Sequence, residues 1–525
     1  MSGGMRNMEK RVNIVGSGLS GLYLAINLAK EGISSNLISI MPSERAQSVL
    51  AEGGINCVFN DKQGDSITSH IEDTYQAGLC LENIQNIQNL CQNSPKIVKN
   101  LISLGVPFNY ENGEIAVRAF GGQSHKRTLF AKTSTGKMIV TSLINEVRKY
   151  EVNGLINRLP HHECIDVEIK DNKLLSIIIR DTYSNKCYSL TGKTIFASGG
   201  LNGFFEGSVT GSNLNNANIQ AKLFAKGVMF RNLEFIQYHP TTIDVLYKRI
   251  LVSESARGEG ARLLTFKNKE RYYFMEDRHP LGNLAPRDVI SKEEYLILHD
   301  PECDGIYLDF SSISKKTWEE RLSDLRKEIK DYLRLDPMNE LIPVKPGIHF
   351  FMGGIKVDGN HKTNIENLYA VGETASMYHG ANRLGGNSLL AALYSGLKAH
   401  ETLIKEDDYP IVTMKEIEPR EILNIDKFNQ ELRDILLKSM NIIRNEEGLK
   451  EGLDAINNIL SKDNLSTLEH DRATFAKAII TSAYCRLESR GAHQRSDYPE
   501  TSLKYQRPSF IKYSDDKIDL KYNEE

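Results

Sequence analysis

Arg11 to Val15 is a short, mostly apolar stretch that runs into Gly16-Ser17-Gly18-Leu19-Ser20-Gly21, after which apolar residues recur with helical period from Leu22 to Ala29. This pattern predicts strand, tight glycine turn and helix. A second apolar strand, Asn36 to Ile40, follows Gly32 and completes a βαβ unit of about 30 residues. Further on, Thr194 to Ala197 is another apolar strand ending in Ser198-Gly199-Gly200, and Leu368 to Val371 is a third ending in Gly372-Glu373. Between them the periodicity predicts helices at His70 to Ala77 and Ser94 to Leu104, strands around Cys164 to Arg180, and a charged helical region at Lys315 to Leu333. A helix follows around Gly396, and residues 420–488 read as amphipathic helices with alternating charge.

Composition narrows the classes. The 525 residues carry 65 Lys or Arg against 68 Asp or Glu, a formal charge of −3, with 40% hydrophobic residues. That is a globular composition, with length for three or four domains at roughly 150 residues each. A near-neutral chain without a basic tract excludes a phosphate-neutralising nucleic-acid surface. No apolar run reaches the roughly 18 residues that span a bilayer, and Met1 to Lys10 is polar, so a cytoplasmic chain is expected. The seven cysteines include no CxxC pair, so no metal site is expected.

The glycine turn carries the first chemistry. Gly16, Gly18 and Gly21 let backbone N–H groups approach a pyrophosphate, whose charge then meets the positive end of the helix dipole. A dinucleotide is the implied ligand. Gly199 reads as a second close approach of backbone to the same nucleotide, and the second strand ends at Ser39 where an acidic residue often holds a ribose.

Eight further stretches occur in order: Arg45-Ala46-Gln47-Ser48-Val49-Leu50-Ala51-Glu52-Gly53-Gly54-Ile55-Asn56, Phe120-Gly121-Gly122-Gln123-Ser124, Tyr238-His239-Pro240-Thr241, Arg257-Gly258-Glu259-Gly260, Ala285-Pro286-Arg287-Asp288, His349 to Gly354, His379 to Leu390, and Glu488 to His493. Together they resemble the flavoprotein family of succinate dehydrogenase, fumarate reductase and L-aspartate oxidase, over about residues 10 to 500. The resemblance implies an α/β fold: a discontinuous Rossmann-like FAD-binding domain (10–232 and 351–405), an inserted α+β capping domain (233–350), a C-terminal helical domain (420–500) and a tail (501–525). It implies FAD as cofactor and a small C4 dicarboxylate as substrate. An iron–sulfur subunit or other electron donor is the implied partner, and such a partner would place the chain at the inner membrane's periphery.

The resemblance assigns substrate binding to His239, Thr241, His349, Arg383, Phe120 and Gly121. A dicarboxylate in a dry site needs opposite charges and fixed donors, which a guanidinium fork and imidazoles provide. Arg287 matches the family's proton-transfer arginine, with Glu254 and Arg257 as its relay. The rival assignment for Arg287 is purely electrostatic, because a guanidinium is normally a permanent cation. For the flavin, the resemblance adds Ser48, Gly53 and Gly54, places Glu373 at the adenosine ribose, and brings Ser388 and Leu389 to the isoalloxazine at a helix N-terminus. Glu259, Asp288, His493 and His379 are either site members or braces.

Departures from the family pattern separate its members. Gln47 stands where membrane-bound members carry the histidine that bonds to FAD, so non-covalent FAD is expected. The family's Gly-Asp-Gly is replaced by Ala217-Asn218-Ile219. L-aspartate oxidases usually carry a glutamate before the Gly-Gly of the substrate loop; here it is Phe120, which suits an uncharged carbon and leaves an ammonium without a partner. Fumarate/succinate is the expected substrate pair, with L-aspartate oxidase, and a non-catalytic flavin electron-transfer subunit, as alternatives.

Overall fold

The computed structural model describes residues 10–59, 64–132, 134–245 and 248–523; most of the polar N-terminal stretch lies outside them. The predicted βαβ unit forms strands Arg11–Val15 and Ser34–Ser39 around helix Leu19–Lys30. The helix starts three residues earlier than the apolar period suggested, because the turn is already complete at Gly18, its N-cap. These strands pair in parallel within a five-stranded sheet. Its order is Leu368–Ala370, Thr194–Phe196, Arg11–Val15, Ser34–Ser39 and Ile156–Pro160. Ile14 faces Leu37 on one side and Ile195 on the other. The strands are short and, apart from the edge strand Ile156–Pro160, almost wholly buried because helices cover the sheet, and the return of residue 368 to it makes this layer discontinuous in sequence.

The segment between the two returns folds around an apolar core of its own, running from Ile243 to Val344 and including Phe274, Leu308 and Trp318. Its strand Ile236–Val245 pairs with Lys345–Phe351, and a second sheet contains Arg262–Lys267 and Cys303–Asp309. The expected charged helical region is two helices, Lys315–Arg321 and Ser323–Leu333. Helices Asp426–Ser439, Glu446–Leu460 and Thr467–Cys485 pack toward the carboxyl end, the last opened by a Ser466/Glu469 capping box.

Two stretches differ from the sequence reading. Met414–Ile417, in the unassigned gap, adds a strand to the edge of the antiparallel sheet built from His162–Lys170 and Lys173–Asp181. Residues 501–525 were expected as a tail, but they contain the hairpin Phe510–Ser514/Lys517–Lys521, whose first strand pairs with Phe230–Arg231. Ile511 is thereby fully buried. The alternating Lys517-Ile518-Asp519-Leu520-Lys521 has the period of a half-exposed strand; it pairs locally with Phe510–Ser514, which Phe230–Arg231 in turn ties to the rest of the sheet.

Candidate active site

The glycine turn is forced by close packing. A Cβ on Gly16, at φ +118°, would lie 2.1 Å from the Ala197 carbonyl oxygen, and one on Gly21 would lie 2.0 Å from the Gly16 carbonyl oxygen. The N-cap of helix Leu19–Lys30, Gly18, has no side chain to cap it; the Leu19 N–H donates to Ser48 Oγ at 3.2 Å. The helix N-terminus therefore opens onto a long cleft with about 1840 Å³ of space free of protein atoms, part of it open to solvent.

That cleft is lined by Gly16, Gly18, Ser39, Ser48, Gly53, Gly54 and Gly199 and by Glu373, Ser388 and Leu389, while Phe120, whose ring lies against Gly53, and His239, Glu254, Arg287, His349 and Arg383 line its charged part. Four of the expected residues stay behind the lining. Gly21 packs the helix on the turn. Thr241 donates its N–H to His239 Nδ1 at 3.2 Å and its hydroxyl to the Val252 carbonyl. The Gly121 N–H donates to Glu254 Oε1 at 2.8 Å, and Arg257 sits 3.8 Å from the same carboxylate.

Two inward-turned ends make this geometry. Helix Arg287–Leu298 starts on Pro286, which puts Arg287 at its first turn. Helix Asn387–Leu403 is capped by Gly386 at φ +83°, where a Cβ would meet Asn56 Oδ1 at 2.1 Å. Only glycine fits there, and the turn aims the first-turn N–H groups of Ser388 and Leu389 at the cleft.

The charged end is a connected network. Arg287 Nε donates to Glu254 Oε2 at 2.9 Å, and Arg287 and Arg383 both donate to Gln237 Oε1, at 3.0 and 2.9 Å. Gln237 in turn donates to Asn382 Oδ1 and to the Arg383 carbonyl. The sequence reading missed Gln237. The available signal was its place two residues before His239 on one strand, the spacing that returns to the same face. It also missed Phe350, whose ring lies 4.4 Å beneath the Arg383 guanidinium.

Burial opposes the charge on Glu254, but Arg287 and Arg257 outweigh it and hold the carboxyl below its usual range. Burial, reinforced by Arg287, pushes His239 and His349 well below the usual histidine value, so both imidazoles are neutral. The Thr241 N–H assigns His239 its acceptor at Nδ1, which leaves the proton on Nε2, a buried atom with no protein partner. Arg383 Nε is likewise unpartnered. This end of the cleft offers donors that no acceptor of the chain answers, which is the electrostatic complement of an anion.

Several expectations change here. Glu373, expected at the adenosine ribose, lines the cleft and also accepts from Gln47 Nε2 at 3.2 Å and from the Phe351 N–H at 3.1 Å. The cause is Gly372 at φ +69°, packed against Ser20, which folds the next residue inward. Burial raises the Glu373 carboxyl to about 7. Gln47 Oε1 accepts from Asn202 at 2.5 Å and from Asn215 at 2.7 Å. Ala217 takes φ +61° at the N-cap of helix Asn218–Ala225, a left-handed conformation that costs a non-glycine residue roughly 1–2 kcal/mol. Glu259 accepts from Arg321, Asp288 from Asn382, and His493 from Arg444, so all three are braces. His379 is a half-buried ring edge-on to Phe350.

Comparison with known proteins places this geometry. Residues 11–389 match the FAD binding domain family and residues 464–524 the fumarate reductase flavoprotein C-terminal family. The chain is 32% identical over 537 residues to the succinate dehydrogenase flavoprotein subunit of Bacillus subtilis, covering 94% of this chain and 92% of that one. The chain belongs to the succinate dehydrogenase and fumarate reductase flavoprotein family. This family includes L-aspartate oxidase, and the enzyme of Pyrococcus furiosus is 34% identical over 506 residues, covering 96% and 98%. A structure of Escherichia coli quinol fumarate reductase superposes with a TM-score of 0.85 at 27% identity, covering 98% of this chain and 97% of that one.

This member of the flavoprotein family is an FAD-dependent oxidoreductase. Its residues fit the cofactor: an uncapped helix N-terminus beside a glycine turn that a Cβ would fill, a cleft far longer than a small acid needs, and a second helix N-terminus at its middle. Among the described residues no helix is long and apolar enough to cross a membrane, and no cluster of ligating side chains could hold a metal.

Proposed function

We propose that this chain interconverts fumarate and succinate, with FAD held without a covalent bond. The observation that carries the substrate choice is the charge inventory of the cleft. Among the described residues four carboxyl groups line it: Glu163 is paired with Arg180 and Glu254 with Arg287, Glu373 accepts from Gln47, and burial beside Glu328 holds the Glu52 carboxyl well above its usual range. None of these four is an ionised carboxylate without a partner, the group that would favour an ammonium. Phe120 is buried, with its ring beside Gly53 and Gly385, and gives the substrate's middle carbons an apolar wall.

Bound FAD supplies the hydride chemistry, held by Gly16, Gly18, Ser48 and Gly199 along the dinucleotide and by Ser388 and Leu389 near its ring. Arg383, His239 Nε2 and His349 bind the two carboxylates and polarise the double bond between them. Arg287 presents a proton to the second alkene carbon, and Glu254, bonded to it at two nitrogens, restores that proton. Closure of this end by Phe120, Phe350 and the buried arginines excludes water from the carbon being protonated. Gln47, an amide, lacks an imidazole to bond to a flavin methyl group, which supports the non-covalent reading.

The test is a parallel assay of the purified yellow protein for fumarate reduction by reduced viologen and for hydrogen peroxide released from L-aspartate. Fumarate reduction without peroxide is the expected result. Aspartate-dependent peroxide would instead assign the L-aspartate oxidase activity. Acid precipitation should release the flavin; fluorescence left on the denatured chain would overturn non-covalent binding.

A further inference from the structure

Behind the relay lies a carboxyl group that the reaction described above does not use. Glu294 stands on helix Arg287–Leu298, two turns beyond Arg287 and hence on the same face. It is fully buried, and neither carboxylate oxygen has a protein partner. Arg257 is the charged group close enough to act on it, and Arg257 itself keeps Nε and one terminal nitrogen buried without a partner. Two unanswered acceptors thus lie near two unanswered donors, a combination that native interiors rarely leave without purpose. The other charged side chains of the neighbouring elements are engaged elsewhere: Glu276 with Arg262, Asp309 with Tyr273, Glu293 with Arg278, and Lys345 with Asp244. His239 and His349, on the strands packed against this helix, are neutral.

The charges explain why this carboxyl is kept neutral. Arg257, Arg287 and Arg383 against Glu254 leave two positive charges, which a bound dicarboxylate cancels. An ionised Glu294 would leave the filled site one charge negative. Burial raises the Glu294 carboxyl well above its usual range, and Arg257 offsets this only in part.

Resting on the fumarate reading, we infer that Glu294 is a positioning residue that stores the proton for the Arg257–Glu254–Arg287 path. In each turnover a proton leaves Glu294 for a nitrogen of Arg257 while Arg257 releases another to Glu254, so the guanidinium is a cation before and after. Glu254 refills Arg287 as Arg287 gives its proton to the substrate carbon, and the hydride on the other carbon comes from the cofactor. Solvent then restores Glu294 through Arg257, which reaches an open surface cleft beside Glu276 and His279.

The test uses the FAD-loaded protein and Glu294→Gln, which keeps the shape but has no proton to lend, with Glu294→Met as a second variant should the amide fail to fold. The parent-minus-variant infrared difference spectrum at neutral pH is expected to show one carbonyl stretch of a protonated carboxyl, the bands of Glu373 and Glu52 cancelling because both proteins share them. With fumarate, kcat should fall at least about tenfold, less than the ~10²–10⁴ of a direct acid. KM should be unchanged and the alkaline limb of the pH–rate profile lost, with partial recovery in Glu294→Asp. An unchanged kcat and pH profile in the variants, or no such difference band, would overturn the inference. If the parent itself fails to reduce fumarate, the reading above falls, while the carbonyl band still decides whether Glu294 holds a proton.

Discussion

Among the described residues, two buried clusters of arginine and glutamate are finished differently. Near the carboxyl end, Arg486 donates to Glu234, Glu488 and the carbonyls of Tyr505 and Arg507. Arg490 donates to Glu488 and to the carbonyls of Leu79 and Ser502. Ser509 completes Glu234 at 2.8 Å. None of these side chains leaves a buried polar atom unpartnered. At the cleft, by contrast, His239 and Arg383 do, as do Arg257 and Glu294 in the layer behind it. The first cluster spends its charges on fastening the last segments of the chain to the flavin-binding layer. The second keeps donors unspent for a ligand. A buried ion network is therefore not a functional signal in itself; unanswered atoms facing a cavity are.

The largest expected effect tests that contrast from the cleft side. Arg287→Ala should lower fumarate reduction by about 10²–10⁴-fold with FAD content unchanged, measured by viologen oxidation per bound flavin. Arg486→Ala should do the reverse: removing one partner of a buried network costs roughly 3–5 kcal/mol, seen as a lower Tm, while the folded fraction keeps its activity per flavin. If both variants lose the same property, the distinction fails. Between them stands Gln237→Leu. It frees the two arginines that share one amide oxygen, and misplacement of such groups should cost about 10²-fold in kcat/KM with little change in melting temperature.

The smallest effect is a pH dependence. The folded-state value of Glu373, about 7, lies above the ordinary 4.5, so the folded protein binds more protons than the unfolded chain between them. Stability should therefore fall as pH rises from about 4.5 to about 7, by roughly 1–3 kcal/mol from this group. Thermal melts across that range should show a shallower slope in Glu373→Gln. An unchanged slope would mean that Gln47 and the Phe351 N–H already hold the ionised form.

The glycine turn, the βαβ unit, the ordered motifs and the substitution at residue 47 were legible because each is local: a turn that demands glycine, or a residue type at a fixed offset, needs no partner to be recognised. The same holds for Phe120 and for the arginines, whose residue types alone announce dicarboxylate chemistry. What pairing across hundreds of positions decides was not legible. The hairpin Phe510–Ser514/Lys517–Lys521 becomes an ordered edge only against Phe230–Arg231. Glu373 meets Gln47 across more than three hundred positions, a contact that no local pattern records. Gln237 matters only because two arginines from different segments converge on it. The sequence alone determined which chemical groups this protein owns and which short turns it must make, since those follow from residue type and local backbone sterics. Tertiary structure alone decided which buried donors find acceptors and which stay free for a substrate, because hydrogen-bond satisfaction belongs to the packed whole.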